Sequence, residues 1–335
     1  MPAPSPYPFR AWWAQRSPAA GAAVMATGIV SVALHLAGYE TLSLIALVPA
    51  CAAWLGLAAE FVLRLARERE RWLAEAQTPG ALTAVAATTV LGTRVASLGE
   101  DALAWALLAV ATMCWPTLLV LVVRRWRPRM PGAVFLCCVA TQGLAVLGAT
   151  LARSESADWL AHVALTLFWL GLVLYGLALF RFDLRQVTGG PGDQWVAGGA
   201  VAISSLAGSK LLAADGGALY LWNDDGSAVL RLTTGVLLVL DLAWYAVLTA
   251  AEILRPRLSY DTRRWATVFP LGMTAAAALS ASTAVGVPWL EGLGRVLMWV
   301  AVAAWLAVAA GAVASARTAV TSEPVEREIR STARR

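Results

Sequence analysis

The sequence predicts an all-α integral membrane protein with ten transmembrane helices. Of the 335 residues, 59% are hydrophobic and 14% are charged, whereas an ordinary soluble domain carries about 25% charged residues. The apolar residues also fall in runs of about 20, the length of helix that crosses the hydrocarbon core of a bilayer. The composition therefore excludes soluble enzymes, disulfide-bonded secreted domains and disordered chains, and it makes the lipid bilayer the expected surroundings.

The ten predicted spans hold 18–22 residues each and are separated by turn signals such as GYE at 38–40 and GGPG at 189–192. In lipid, only a helix satisfies the backbone hydrogen bonds of a single apolar segment. Residues 1–17 and 315–335 are predicted to be tails around a transmembrane domain at 18–314, and residues 1–17 do not resemble a cleavable signal peptide. The predicted spans are 18–37, 42–63, 81–98, 102–123, 132–152, 159–180, 196–214, 229–250, 265–286 and 293–314.

The basic residues predict the orientation of these spans. With ten crossings, 21 of the 26 Lys and Arg residues lie in the tails and links on one side. Because loops rich in Lys and Arg stay in the cytoplasm, both termini are expected to be cytoplasmic in a multi-pass protein of the inner or plasma membrane. The basic residues of the other half are Arg94, Arg153, Lys210, Arg231 and Arg295.

The odd-numbered and even-numbered spans differ in composition. Gly, Ala, Ser and Thr make up 58 of 100 residues in the odd spans and 38 of 110 in the even spans, whereas eight of the 16 Trp residues lie in even spans. Small residues favour close helix packing or leave space, and bulky apolar residues suit contact with lipid. We therefore expect five hairpins, each with an inner odd helix and an outer even helix. The inner helices could enclose a pore or could simply be buried and tightly packed.

Polar residues on the odd spans favour a water-filled path between the inner helices. They recur at helical spacing on the first, third and seventh spans, although Ser and Thr also bond to their own helix backbone. The candidate pore-lining residues are Thr27, Ser31, His35, Thr89, Thr93, Thr141, Gln142, Ser205 and Ser209.

Three basic residues lie late on odd spans that carry no carboxylate of their own. Arg94 and Lys210 lie within the predicted outer third of the membrane, and Arg153 follows the fifth span. Charges inside a membrane are costly and mark functional sites, and cations beside a path attract anions. The alternative is that these side chains extend to the lipid headgroups. Lys210 is the only lysine, but three spans follow it, which disfavours a retinal Schiff base.

The remaining polar residues do not form a pattern typical of catalysis. Asp241, on an even span, is expected either to pair with a donor on an inner helix or to act as a protonation site. The four cysteines lie in apolar runs without metal-ligand spacing. No nucleophile–base pair or phosphate-binding loop is present, so we expect no enzyme, no cofactor and no nucleic-acid partner. A membrane-embedded enzyme or an assembly scaffold is retained as a third alternative.

Three segments carry a resemblance to a known family: AAVMATGIVSVAL at 22–34, GDQWVAGGAVAI at 192–203 and RWATVFPLG at 264–272. The chain resembles the tellurite-resistance/dicarboxylate transporter family, which includes yeast malate and sulfite transporters and the plant guard-cell slow anion channel. This resemblance implies five helical hairpins in a quasi-five-fold arrangement, odd helices lining a central pore, and a homotrimer. It also implies that Phe269 plugs the pore beside Pro270, with Gly272 on the same helix.

The function expected from these observations is an anion channel or transporter for small inorganic anions or C4-dicarboxylates. Phe269 would gate the pore, and Arg94, Lys210 and Arg153 would give the preference for anions. The alternative is a proton-coupled secondary carrier for malate or succinate uptake or sulfite efflux, in which Asp241 or His35 titrates. The choice among these substrates stays open, as does a role in tellurite resistance.

Overall fold

Ten long helices make up most of the described part of the chain. The structure is a computed structural model that describes residues 19–215, 224–256 and 260–332, with side chains in 21–215, 225–256 and 260–317. The predicted tail at 1–17 lies outside the described residues. The long helices are α1 (Ala19–Leu36), α2 (Glu40–Arg67), α3 (Thr83–Ala96), α4 (Asp101–Val123), α5 (Leu136–Glu155), α6 (Asp158–Arg181), α7 (Val196–Ala214), α8 (Asp224–Leu254), α9 (Trp265–Ala281) and α10 (Trp289–Thr332).

These helices confirm the all-α membrane fold. Within the described ranges, eight helical segments are long and apolar enough to cross a membrane, and they contain every helix except α1 and α3. α3 has only 14 residues, because a 3₁₀ turn at Pro79–Leu82 takes up the start of the predicted third span. The ten helices follow the order of the ten predicted spans, and the number of crossings stays a prediction.

Several helices run past the ends of their predicted spans. α2 continues to Arg67 rather than ending at 63, and α10 continues to Thr332 rather than ending at 314. Residues 64–67 of α2 are Arg, Leu, Ala and Arg, all strong helix formers, so this helix does not stop where the hydrophobicity does. The predicted boundary between the membrane domain and the C-terminal tail therefore falls inside a continuous helix.

The odd helices are inside and the even helices are outside, as their compositions predict. The helical segments differ in the burial of their most apolar 18 residues. In the segments that contain α5, α7 and α9, 94%, 83% and 78% of these residues are buried. The corresponding shares are 17–28% in the five even helices. Their exposed residues are mostly large and apolar, including Phe180 and Ile253, which suits a surface in contact with lipid.

The five inner helices form a closed ring. Each packs against the next inner helix along the chain, and α9 returns to pack against α1, while each outer helix packs on the inner helix before it. Glycines allow the close approach: a Cβ on Gly199 of α7 would lie 2.8 Å from Cγ of Pro270. A Cβ on Gly272 of α9 would lie 2.9 Å from Cγ2 of Ile29. Small residues therefore bring the inner helices together rather than holding them apart.

Tight turns join α1 to α2 and α3 to α4 at the predicted outer end. Gly38 between α1 and α2 has a φ of 87°, and Gly99 between α3 and α4 has a φ of 82°. Side chains rarely allow this left-handed conformation, so glycine makes such short connections possible. The links at the opposite end are longer and include short helices at Arg69–Ala76 and Gln186–Gly189. The described residues contain no strand, only a single bridge between Met130 and Phe182.

Candidate functional site

A small cavity lies at the centre of the ring, where all five inner helices meet. Its volume is about 10 Å³, which is at most enough for one water molecule. The ring is therefore closed at this level. The cavity is lined by Ile29 and Val32 of α1, Thr89, Val90 and Thr93 of α3, Gly143 and Val146 of α5, Ile203 and Leu206 of α7, and Met273 of α9.

The two threonines are the polar members of this lining, and both were predicted pore residues. The hydroxyl of Thr89 donates to the carbonyl of Ala86 at 3.0 Å, and that of Thr93 donates to the carbonyl of Thr89 at 2.9 Å. Their protons are thus used within α3 and do not face an anion. The other lining residues are aliphatic side chains, Met273 and a glycine, so the wall of the cavity is mostly apolar.

Phe269, the predicted gate, lies one helical turn before Met273 on α9. Its side chain is buried, and its Cε1 lies 3.3 Å from the position of a Cβ built on Gly199. The neighbouring Pro270 packs on the same glycine of α7. Phe269 therefore fills the space beside Gly199, where α7 has no side chain. This position is one helical turn away from Met273, which lines the central cavity.

The other predicted pore hydroxyls mostly face the outer helices. Trp305 of α10 donates its indole N–H to Thr27 at 2.9 Å, and Trp115 of α4 donates to Thr141 at 2.9 Å. Both hydroxyls also donate to the carbonyl four residues earlier in their own helices. Because lipid offers an indole N–H no acceptor, a threonine on the adjacent inner helix provides one. Thr27 and Thr141 thus bond to outer helices and to their own backbone, and their place on a water-filled path stays a prediction.

Gln142, Ser205 and Ser209 are also engaged away from the central cavity. Nε2 of Gln142 donates to the carbonyl of Phe168 on α6 at 3.0 Å, and Ser205 donates to the carbonyl of Thr234 on α8 at 3.3 Å. Ser209 donates to the carbonyl of Ser205 within α7 at 2.9 Å. Among the described residues that line the cavity, none of these three appears. Gln142 and Ser205 thus hold inner helices to outer ones, whereas Ser209 bonds within α7.

Arg94 is part of a buried cluster at the α1–α2 turn. Its side chain has no exposed surface; Nε donates to Oγ of Ser43 at 2.8 Å, and Nη2 forms an ion pair with Glu40. Ser43 also donates to the carbonyl of Ser31 at 2.7 Å, and Nδ1 of His35 lies 2.6 Å from the second oxygen of Glu40. Three predicted pore residues, Arg94, Ser31 and His35, therefore meet here around a carboxylate that sequence reasoning had treated only as a turn signal.

Lys210 and Arg153 form a different arrangement at the same predicted end of the ring. Lys210 is mostly buried, whereas Arg153 is exposed. Across the described residues, neither side chain has a carboxylate within salt-bridge distance or a hydrogen bond. Two positive charges thus lie at the same predicted end of the ring without a salt bridge in this part of the structure.

Asp241 of α8 is fully buried against α9. Its Oδ1 accepts a hydrogen bond from Oγ1 of Thr274 at 3.0 Å, so an inner-helix donor is present, as predicted. Its Oδ2 is buried and has no partner among the described residues. A buried carboxyl group with one free oxygen can hold a proton there, so the second predicted role of Asp241 is also compatible with the geometry.

Comparison with known proteins decides the family. The voltage-dependent anion channel family matches residues 15–313, nearly the whole chain. The chain belongs to this family. It is therefore a multi-pass membrane protein of the anion channel and transporter class, which confirms the resemblance seen in the sequence. An uncharacterized membrane protein of Mycobacterium tuberculosis, found in two strains, is 32% identical over 130 residues. The match covers 38% of the present chain and 65% of the length of the mycobacterial relative.

Two groups of residues at the site of this family member escaped sequence reasoning. The aliphatic lining of the central cavity, such as Val146 and Ile203, is indistinguishable in sequence from other core residues. Glu40 and Ser43 lie about 50 residues before Arg94 in the sequence. The available signal for the ion pair was that Glu40 lies in a turn at the same predicted side of the membrane as Arg94.

Proposed function

We propose that this member of the anion channel family passes small inorganic anions or dicarboxylates along the axis of its five inner helices. The observation that carries the proposal is the convergence of all five inner helices on one cavity, enclosed mainly by aliphatic side chains. A path along this axis is the one route that every hairpin helps to form. Its closed state would be a dewetted constriction, which opens when the inner helices move apart by a small distance.

Phe269 is the proposed gate of this path. It lies next to Met273, the residue that α9 contributes to the cavity, and it packs on the bare backbone of Gly199. Pro270 supports such a role, because proline removes a backbone hydrogen bond and lets a helix bend. Rotation of the phenyl ring away from Gly199, or a bend of α9 at Pro270, would widen the path.

Lys210 and Arg153 are the proposed source of anion preference. Two cations that form no salt bridge with any described residue would raise the local concentration of anions and repel cations at the mouth of the path. Arg94 contributes less, since Glu40 compensates its charge.

The test is chloride efflux from liposomes that contain Phe269→Ala, with Phe168→Ala as the matched control. Phe168 is equally buried but lies on the outer helix α6, so both variants lose a similar amount of packing energy, about 3–5 kcal/mol. The proposal predicts faster efflux for Phe269→Ala alone. Equal efflux from both variants, at equal incorporation and thermal stability, would rule out the gate.

A second candidate function is proton-coupled transport, and the free Oδ2 of Asp241 favours it. A carrier of this type would take up malate or succinate, or export sulfite, only while a pH gradient exists. Asp241→Asn should then abolish the dependence on the gradient, whereas Thr274→Val, which removes only the hydrogen bond, should retain it. Uptake of chloride, nitrate, sulfite, malate and succinate, each with and without a gradient, separates this carrier from a channel.

The assembly and placement of the protein follow the family resemblance in this proposal. We propose a homotrimer in the inner or plasma membrane with both termini in the cytoplasm, acting in transport without a cofactor or catalytic step. The asymmetry of the basic residues supports the orientation. Protease accessibility of a C-terminal tag in sealed vesicles and the mass of the detergent-solubilised complex test the two statements.

A further inference from the structure

Two links at the predicted cytoplasmic end of the molecule meet at one place. The link between α4 and α5 and the chain at the end of α6 form the bridge between Met130 and Phe182. The backbone N–H of Met130 donates to the carbonyl of Arg181 at 2.7 Å, and that of Asp183 donates to the carbonyl of Met130 at 3.0 Å. The bridge brings the arginines of both links into one region, here called the basic patch, which consists of Arg124, Arg125, Arg127, Arg129, Arg181 and Arg185.

The basic patch is exposed and carries little compensating charge. Its six arginines are all exposed, and none of them forms a salt bridge with a residue that the structure describes. Residues 124–129 contain no Asp or Glu, and residues 181–185 add only Asp183. The Oδ1 atom of Asp183 accepts the backbone N–H of Arg185 at 3.1 Å. Six positive charges and one negative charge leave this surface strongly positive.

The orientation of the protein explains why arginines lie here, but it does not explain why carboxylates are missing. Retention of a loop in the cytoplasm depends on its number of Lys and Arg residues and hardly on its Asp and Glu. The segment 64–78 that connects α2 to α3 also has four arginines, but three glutamates accompany them. There, Arg64 and Arg71 each form an ion pair with Glu75. Both segments satisfy the same rule, so the uncompensated charge of the basic patch indicates a further role.

Arg129 has a backbone conformation that favours glycine. Its φ is 59°, in the left-handed region where a side chain crowds the following carbonyl oxygen. The turn at this residue leads the chain into the bridge at Met130. Strained backbone of this kind is typical of functional sites. An exposed arginine at a position where glycine would fit better therefore indicates a role in binding rather than in folding.

Exposed apolar side chains border the basic patch. Val123, Phe180 and Leu184 each precede an arginine of the patch, and they are 37%, 93% and 64% exposed. Val123 and Phe180 end the lipid-facing surfaces of the outer helices α4 and α6, and Leu184 stays exposed beyond the end of α6. A free anion would use the arginines alone. A ligand that uses both kinds of side chain combines an anionic phosphate with acyl chains, as an anionic phospholipid does.

We propose that the basic patch binds the phosphate group of an anionic phospholipid, whose acyl chains lie against Phe180 and the adjacent ends of α4 and α6. Guanidinium groups donate paired hydrogen bonds to phosphate oxygens, and each basic residue near anionic lipid strengthens the attraction. In the proposed orientation this lipid belongs to the cytoplasmic leaflet. The binding itself depends neither on the orientation nor on the route that transported anions take.

The test is native mass spectrometry of the delipidated full chain, titrated with phosphatidylglycerol or with phosphatidylcholine of the same acyl chains. Arg125→Gln with Arg127→Gln removes two charges from the basic patch. Arg67→Gln with Arg69→Gln is the matched control, because it removes two exposed arginines from the segment between α2 and α3. The wild type should bind phosphatidylglycerol at least about tenfold more tightly than phosphatidylcholine. The basic-patch variant should bind phosphatidylglycerol about 25-fold more weakly than the control, about fivefold for each arginine.

Arg129→Gly separates binding from folding. Because glycine adopts a φ of 59° without crowding, the temperature of thermal unfolding should stay the same or rise. The affinity for phosphatidylglycerol should still fall about fivefold. Glycerol phosphate, which has the phosphate but no acyl chain, should not displace the bound lipid at equal concentration.

Three results would overturn the proposal. The first is equal affinity of the two double variants for phosphatidylglycerol, or of Arg129→Gly and the wild type. The second is a wild type that does not distinguish phosphatidylglycerol from phosphatidylcholine. The third is displacement of the lipid by an equal concentration of glycerol phosphate, which would make the basic patch a site for free anions.

Discussion

The clusters around Arg94 and around Lys210 are alike in sequence and opposite in structure. Each cation lies late on an odd helix whose own span lacks a carboxylate. Arg94 is completely buried, bonded to Ser43 and paired with Glu40. Lys210, also mostly buried, has no carboxylate bound to it among the described residues, and Arg153 lies at the same predicted end of the ring. The first cluster is arranged to hold α1, α2 and α3 together, and the second is the one proposed to attract anions.

The difference comes from the turns rather than from the helices that carry the cations. The α1–α2 turn places Glu40 at the first position of α2, next to the end of α3. The role of an intramembrane charge therefore depends on whether a turn between neighbouring helices places a carboxylate next to it. Substitutions in the two clusters should accordingly affect different properties, the stability of the fold in one case and the transport of anions in the other.

The largest expected effect is the loss of stability on removing Glu40. Glu40→Ala leaves the guanidinium of Arg94 buried without its counter-charge, which should lower the free energy of unfolding by about 3 kcal/mol. This is the lower end of the usual range, because 48% of the Glu40 side chain is exposed. Lys210→Met removes a mostly buried charge that has no salt bridge among the described residues, so it should leave the free energy of unfolding unchanged or raise it. Unfolding by SDS in mixed micelles measures both, and equal losses would erase the distinction between the clusters.

The next effect concerns transport in the second cluster. Lys210→Met and Arg153→Gln should each lower chloride flux at low salt by about tenfold, since local positive potential raises the rate of anion entry. The loss should shrink at about 1 M salt, where the screening length falls to about 3 Å. Arg94→Met, in protein that still folds, should change flux much less. A loss that does not depend on salt would indicate a role other than electrostatic attraction.

The smallest effect compares two serines, one in each region. Ser43 bonds both to Ser31 and to Arg94, whereas Ser209, next to Lys210, bonds only to a carbonyl of its own helix. Ser43→Ala should therefore lower the free energy of unfolding by about 1–2 kcal/mol, and Ser209→Ala by less than about 0.5 kcal/mol. Thermal unfolding in detergent is sensitive enough for this comparison. Reversed magnitudes would show that the hydrogen bonds of the first cluster contribute little to the fold.

Composition predicted which helices are inside, because burial selects small residues and lipid selects large ones. The sequence of α5 and that of α6 differ in this way, and so do their buried shares. Helix ends were less predictable: hydrophobicity ends near 63 in α2 and near 314 in α10, but both helices continue past these residues. Hydropathy indicates which part of a helix lies inside the membrane, but it does not indicate the residue at which the helix ends.

The face of each inner helix was the hardest feature to predict. A helix that is buried all round has no polar side to mark its orientation. Thr27 and Thr141, for example, are predicted to line a path, and each hydroxyl also accepts a tryptophan N–H from an outer helix. Each of these contacts joins residues of two helices, so no single segment of sequence contains it.

One electrical recording can show whether anions cross along the axis of the inner ring. Chloride current through Phe269→Ala in a planar bilayer is compared with the current through the double variant Phe269→Ala with Lys210→Met, under a chloride gradient. If anions take this route, the current of the single variant reverses near the chloride equilibrium potential, and the reversal potential of the double variant is shifted toward zero. The absence of current in the single variant, or identical reversal potentials in the two, would contradict it.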